Sequence, residues 1–209
     1  TLNQTKGKGQ RGNTWLSEAG KNLTFSIILF PHHIQASQQF IISQCVSLGL
    51  YYTLNQYITN VSIKWPNDIY VNNKKIAGIL IENVLTGAQI SSSIIGIGLN
   101  VNQENFDSMI PNPTSMYLES LQKFDTQKII NECVSNIRIA YSRITNDIAN
   151  IQKEYIDVLY LYGKLSKFED NNGVFYGTIS HINNDGKLHI IDTENKQRGY
   201  YFKEVSYII

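Results

Sequence analysis

The sequence predicts an α+β fold: an antiparallel or mixed sheet with helices packed against it, followed by a small all-β unit. Three observations carry that expectation. Short β-rich runs between residues 61 and 98 are joined by tight turns, which makes hairpins and not alternating strand–helix–strand units. Two longer stretches switch to spacings of three and four, the period of a core-facing helix. Beyond Gly163 the chain breaks into short strands separated by Asn, Asp and Gly corners, which favour tight hairpins.

Taken in order, Leu23–Phe30 reads as a strand that stops at Pro31. Residues 35–60 read as one long helix through Phe40, Ile41, Val46, Leu48, Leu50, Leu54 and Ile58, with Ser37 as its start signal. His32 and His33 fall in the connecting turn with no third ligand beside them, so they are loop residues. Val61–Trp65 is a strand entering the turn Pro66-Asn67-Asp68, and Ile69–Val71 resumes it. Asn72–Lys75 is a hairpin turn, and Lys75–Glu82 and residues 88–98 are the next strands. Residues 103–122 read as a loop holding Pro111 and Pro113. A second helix is expected from Asp125 to Ile148, capped by Asp125 or Thr126, with Val134 in its apolar stripe, and a shorter one over 150–161. Five strands follow, at 164–169, 173–182, 186–192, 197–203 and 205–208. That makes a small barrel of the SH3-like kind, too small to stand well alone and expected to pack on the first unit. The expected domains are 1–162 and 163–209.

Composition narrows the function. With 209 residues, 42% of them apolar, the chain can bury a sizeable core. A net charge of +1 argues against a general nucleic-acid or membrane-surface binder. Cys45 and Cys133 both sit in apolar helical patterns and read as buried hydrophobes in a reducing compartment. No apolar run is long enough for a membrane span and no signal peptide is visible, so the expected location is cytoplasmic. The first residue is not methionine, and the natural protein is expected to begin earlier.

Four stretches could carry chemistry. Gly7-Lys8-Gly9-Gln10-Arg11-Gly12-Asn13-Thr14-Trp15 places three glycines, two cations and a tryptophan in nine residues. It suits either an anion-binding loop or a mobile surface segment. Arg11 gains interest because the chain has four arginines against fourteen lysines. Lys64 ends a strand just before a direction-fixing turn, where it is either a cation aimed into a pocket or an edge lysine in water. Asn67 and Asp68 are turn formers or phosphate contacts. Gly78 inside a strand marks a ligand's approach, or a bulge or packing point. Gly96 and Gly98 share one strand face and leave a flat floor, with Asn100 offering an amide beyond it. There is no Ser/His/Asp arrangement, phosphate-binding lysine loop or dinucleotide fingerprint. The pattern favours aligning two polar or anionic substrates over covalent catalysis by the protein.

Together and in this order, the stretches resemble the biotin protein ligases. The family's G-R-G-x-R-G-x-x-W loop matches Gly7–Trp15, with Lys8 departing from the family arginine. K-W-P-N-D stands at Lys64–Asp68, K-x-A-G-I-L-x-E at Lys75–Glu82 and G-x-G-x-N at Gly96–Asn100. The resemblance covers essentially the whole chain. It implies a mixed sheet like that of class II aminoacyl-tRNA synthetases, with helices on one face, plus an SH3-like barrel. It implies an ATP- and Mg²⁺-dependent ligase that makes biotinyl-5′-AMP and transfers biotin to a lysine of a biotin carboxyl carrier protein or carboxylase domain.

By that match Lys64 and Arg11 are catalytic. Gln4, Gly7, Lys8, Gly9, Gln10, Gly12, Trp15, Lys64, Gly78 and Gly98 line the biotin site. Arg11, Trp15, Asn67, Asp68 and Asn100 meet the nucleotide, and no protein metal site is implied. A Ser/Thr-rich biotin-binding segment upstream of the loop is expected to be missing, and no DNA-binding domain is seen. A homodimer is a candidate assembly, and the loop is expected to order on ligand binding. Two alternatives stand beside this reading: a lipoate or octanoate ligase or transferase, and a non-catalytic biotin-binding interaction module.

Overall fold

The computed structural model describes the chain except Leu2, Ile209 and the side chain of Arg11. It is an α+β structure built on two five-stranded antiparallel sheets. Strands β1 (Gly7–Lys8) and β2 (Thr14–Trp15) form a small hairpin at the start. The main sheet uses β3 (Leu23–Leu29), β4 (Val61–Lys64), β5 (Asp68–Val71), β6 (Lys74–Thr86) and β7 (Gln89–Leu99), in the order β3-β7-β6-β5-β4. Every pair of these strands is antiparallel. The expected mixed character survives only at isolated parallel bridges, Ile63 with Leu159 and Lys75 with Pro113. The first of them closes the β4 edge: Ile63 donates to the Val158 carbonyl and accepts from the Tyr160 amide.

Helix α1 (Phe40–Leu54) is buried on nearly all sides, as a helix apolar all round must be. One side lies on β4, β5 and β6, and another meets α3 (Thr126–Ser142) and α4 (Ile148–Asp157). The helices therefore stack outward from a single face of the sheet. Gly49 lets α1 and α3 approach closely, since a Cβ there would lie 2.6 Å from the Ile137 backbone. Cys45 and Cys133 are both buried here, and burial pushes their thiols up to about 12.

Several expected boundaries move. The long helix expected over 35–60 is a 3-10 turn at Ala36–Gln38 followed by α1, and Ser37 does not cap it. The helix ends at Leu54, before Ile58, and the chain then turns toward β4 through Asn60 in a left-handed conformation. The expected loop at 103–122 holds a short helix, α2 (Met116–Ser120), capped by Ser115. Asp125 caps α3 as expected, but α3 stops at Ser142. There Arg143 enters a 3-10 turn and pairs with Asp147 and Glu154, each at 2.7 Å. Val134 lies on the exposed side of α3, outside its apolar stripe.

The second sheet uses β8 (Ser166–Asp170), β9 (Gly173–Ile182), β10 (Leu188–Asp192), β11 (Gln197–Tyr200) and β12 (Val205–Ile208), close to the expected strands. Its buried face joins the core of the first unit. The β9–β10 turn is the clasp: Gly186 lies against the Phe40 ring, and the buried Trp65 indole donates to the Gly186 carbonyl at 2.9 Å. A buried hydrogen bond of this kind contributes roughly 1 kcal/mol beyond the apolar burial of the indole. The second sheet therefore docks on the turn that follows Lys64.

Candidate active site

The register of the main sheet brings the motifs into one line. Thr24 lies opposite Gly98, Gly98 opposite Gly78, Gly78 opposite Asp68, and Asp68 opposite Lys64. At about 4.8 Å per strand that row spans roughly 19 Å across all five strands. Side chains alternate between faces, so Ile95, Ile97 and Leu99 are buried in the core and Gly96 and Gly98 lie on the other face. The centre of the row therefore has no side chains.

Trp15 lies on that bare floor. A Cβ on Gly98 would overlap its indole, and a Cβ on Gly78 would lie 3.1 Å from its Cζ3. The Trp15 Nε1 is buried with no hydrogen-bond partner. The hairpin that carries Trp15 explains two loop glycines differently from the expectation. A Cβ on Gly7 would strike the Trp15 carbonyl, so Gly7 serves the close approach of β1 to β2. Gly12 takes a φ of +87° in the turn and has nothing within 4 Å of its Cβ position. Neither lines the cleft.

Lys64 stands at the end of the row. Its Nζ donates to Tyr70 Oη at 3.0 Å and lies 4.5 Å from the centroid of the Tyr70 ring. From the second sheet, Tyr207 brings its ring to 4.9 Å. No carboxylate among the described residues pairs with this ammonium. Asp68, directly opposite, is ion-paired with Lys75 at 2.7 Å. Burial lowers the Lys64 pKa from the ordinary lysine value, with Asp68 opposing and Lys75 assisting. A half-buried cation without a counter-ion can gain most from an anionic ligand.

Lys75 reaches the cleft because of a bulge. Ile69 pairs with Ala77 but Tyr70 pairs with Lys75, so Ile76 is the extra residue and Lys75 shares a face with Gly78. The Lys75 ammonium lies 5.8 Å from the Trp15 ring centroid.

The cleft has a volume of about 820 Å³, ample for two small substrates. Lys6, Lys8, Lys64, Lys75 and Lys203 line it against Asp68 and Glu82, so it is positive in a chain of net charge +1. Of the expected site residues, Gln4, Lys8, Gly9, Gln10, Trp15, Lys64, Asn67, Asp68, Gly78 and Gly98 line it. The Asn67 amide is occupied, donating to the Ile79 carbonyl at 2.6 Å. Asn100 does not reach the cleft: it is buried, and its Nδ2 donates to the Thr114 carbonyl at 2.9 Å. The Arg11 side chain lies outside the described residues. Residues not singled out from sequence also line it, among them Lys75, Thr24, Ser26 and, from β12 and the turn before it, Phe202, Ser206 and Tyr207. Lys75 had a signal, as the first residue of its motif. Those from the second sheet had none, because some 140 residues of chain separate them from Lys64. No group of three or more His, Cys, Asp or Glu among the described residues could hold a metal ion.

Comparison with known proteins agrees with this geometry. Residues 1–100 match the model of the biotin/lipoate A/B protein ligase family. The bifunctional ligase/repressor BirA of Bacillus spizizenii is 29% identical over 207 residues, covering 97% of this chain and 63% of the relative. The biotin–[acetyl-CoA-carboxylase] ligase of Paracoccus denitrificans is 35% identical over 103 residues, covering 47% of this chain and 41% of that protein. The chain thus spans less than two thirds of these relatives' length. In fold it is similar to the biotin protein ligase from Aquifex aeolicus, solved in complex with biotin and ATP. The TM-score is 0.81 at 24% identity, over 98% of this chain and 85% of that one. With its motifs gathered on one sheet face, the chain is thus similar over its first 100 residues to the biotin/lipoate A/B protein ligase family and shares its fold with a solved biotin protein ligase.

Proposed function

We propose that this chain is an ATP-dependent biotin–carrier-protein ligase. The observation that carries the proposal is the row from Thr24 to Lys64. It sets a side-chain-free floor beside an ammonium that has no carboxylate partner among the described residues. A flat bicyclic acid would lie over Gly78 and Gly98, with its carboxylate directed to Lys64 and Trp15 lifted to close over it. In the first half-reaction a carboxylate oxygen attacks the α-phosphorus of ATP. The bond to the bridging oxygen breaks, and pyrophosphate leaves. Negative charge concentrates between carboxylate and α-phosphate, where Lys64 stabilises it. In the second, a carrier lysine as free amine attacks the acyl carbon of biotinyl-5′-AMP. The acyl–phosphate bond breaks, AMP leaves, and the amine's proton passes to solvent.

Mg²⁺ enters with ATP as substrate. The cleft carboxylates Asp68 and Glu82 suit an ion held largely by phosphates and water. Arg11 is assigned to phosphate, for which its planar fork is suited, and Lys8 to general charge complementarity. The Gly7–Trp15 hairpin is assigned the role of a lid ordered further by ligand. The sheet that carries the site is assigned to the class II aminoacyl-tRNA synthetase-like type, and residues 163–209 to an SH3-like barrel. The partner is a biotin carboxyl carrier protein or domain, and the setting is cytoplasmic. No helix among the described residues is long and apolar enough to cross a membrane. A homodimer is also proposed, through β3 as an end strand of the main sheet.

The relatives named as biotin ligases favour biotin over lipoate as the acid. The test is biotinylation of a carrier-domain peptide by the purified chain, with lipoate in parallel. Label transfer from biotin and ATP is expected, and Lys64→Ala is expected to lose it. Transfer of lipoate in preference to biotin would replace the assignment, and no transfer of either would leave a binding module.

A further inference from the structure

The ammonium of Lys64 is held by aromatic faces, and one of them belongs to the second sheet. Tyr70 and Tyr207 bring their ring centroids to 4.5 and 4.9 Å from Nζ. Tyr207 is itself fixed in place. It pairs opposite Phe168 across β12 and β8, meets the Phe168 ring edge-on at 5.3 Å, and meets Tyr160 at 6.2 Å. Tyr160 in turn contacts Tyr70 at 5.3 Å and donates its hydroxyl to Asn73 at 2.8 Å. The Tyr207 hydroxyl is buried without a hydrogen-bond partner, and burial pushes its phenol far up, so it stays neutral. What Tyr207 offers Lys64 is therefore its ring face and not its oxygen.

We propose that Tyr207 is a positioning residue: its ring closes an aromatic cage that keeps Lys64 charged, desolvated and off Asp68, so docking of the second sheet sets where the ammonium waits. An aromatic face attracts a cation without neutralising it. A carboxylate in the same place would hold Lys64 just as firmly and cancel the charge an anionic substrate needs. Asp68 stands directly opposite Lys64 in register and could do this, but Lys75 engages it instead. The kinetic consequence rests on the ligase reading, whereas the cage itself does not.

Two measurements on the full chain test the inference. The first is the NMR signal of the Lys64 ε-methylene or its ¹³C-methylated amine, assigned by its loss in Lys64→Arg. Ring currents should displace it upfield. Tyr207→Leu should remove a large part of that displacement and Tyr207→Phe should retain it. This readout is independent of turnover. A Lys64 signal at the ordinary lysine position, or one unmoved by Tyr207→Leu, overturns the cage.

The second is biotin-dependent ATP–pyrophosphate exchange. Tyr207→Leu should lower kcat about five- to tenfold, in keeping with one desolvated cation–π contact. KM for biotin should change little, and Tyr207→Phe should restore most of the lost rate. Equal losses in the leucine and phenylalanine variants would assign the effect to the hydroxyl and overturn the proposal. If Tyr207→Leu melts below the assay temperature, Tyr207→Met fills the volume without an aromatic face and replaces it in both measurements. Absence of exchange in the unsubstituted chain would refute the ligase reading, and the NMR result would still decide the cage.

Discussion

The two sheets are alike in size and pairing, and they treat charge in opposite ways. In the second sheet Arg198 is fully engaged. It donates to Asp192 at 2.8 Å and pairs with Asp170 at 3.3 Å, and its guanidinium lies 4.3 Å from the Phe175 ring centroid. Tyr200 donates to the same Asp170 at 2.6 Å. In the main sheet Lys64 is half-buried and has two rings and a phenol for company, but no carboxylate among the described residues. Both cations lie against aromatic faces, and only one is neutralised. On the ligase reading proposed above, the difference separates a charge that serves folding from a charge kept for a ligand. The glycines divide in the same way. A Cβ on Gly177 of β9 would meet Ile190 Cγ2 at 2.6 Å and the Ile191 carbonyl at 2.9 Å, within the second sheet's own packing. The atoms nearest a Cβ on Gly98 would be those of the Trp15 indole, which lines the open cleft.

Substitution can break this contrast, and the largest effect falls on Lys64. Lys64→Met should reduce pyrophosphate exchange by about 10²–10³, the usual cost of removing one preorganised charge donor. The same variant should melt about 2–4 °C higher, the shift that ~1 kcal/mol gives in a chain of this size. The sign follows from burial. A lysine whose folded pKa is lowered carries a penalty for being charged at neutral pH, and that penalty fades as pH rises toward the unfolded value. Arg198→Met should do the reverse, leaving Asp192 and Asp170 without their cation. Its melting temperature should fall while exchange at low temperature stays near that of the unsubstituted chain.

The glycine pair sharpens the contrast at smaller scale. Gly177→Ala should destabilise by about 1–3 kcal/mol through overpacking, read by denaturant melts. Gly98→Ala should leave the melt nearly unchanged and raise KM for biotin about tenfold, as one misfitted contact of ~1.4 kcal/mol would. The smallest effect is one of acid stability. Hydrogen bonds from Tyr200 to Asp170, and from the Lys196 amide to Asp192, hold both carboxyls below the usual aspartate range. Groups with depressed folded pKa values stabilise above the unfolded value and lose that contribution as pH falls through the folded one. The second sheet should therefore loosen below about pH 4, the unfolded aspartate value. In Arg198→Met that loosening should begin nearer pH 4, which tryptophan-independent probes such as amide exchange on β9–β11 would follow.

Much of this was legible in the sequence, because local rules set it. Period-two alternation placed Gly96 and Gly98 on one strand face, and Asn-Gly and Asp-Gly corners located the strands of the second sheet. Lys64 and Asp68 are close in sequence and remain close in space. Register was not legible. Nothing local says that Gly78 pairs with both Gly98 and Asp68, or that a bulge at Ile76 turns Lys75 into the cleft. Asn100 illustrates the same limit, since its place in a motif pointed to a ligand while the chain at Thr114 takes its amide. Tyr207 depends on how two sheets dock through Trp65 and Gly186, a contact with no sequence-local trace. The helix at Met116–Ser120 was hidden because five residues carry too little periodicity to register.

The most direct test of an uncompensated Lys64 is to measure stability and biotin-dependent pyrophosphate exchange together in Lys64→Met. The expected result is a protein that is more stable and almost inactive. A variant that melts lower, or that exchanges at the rate of the unsubstituted chain, would contradict the assignment of this charge to the ligand.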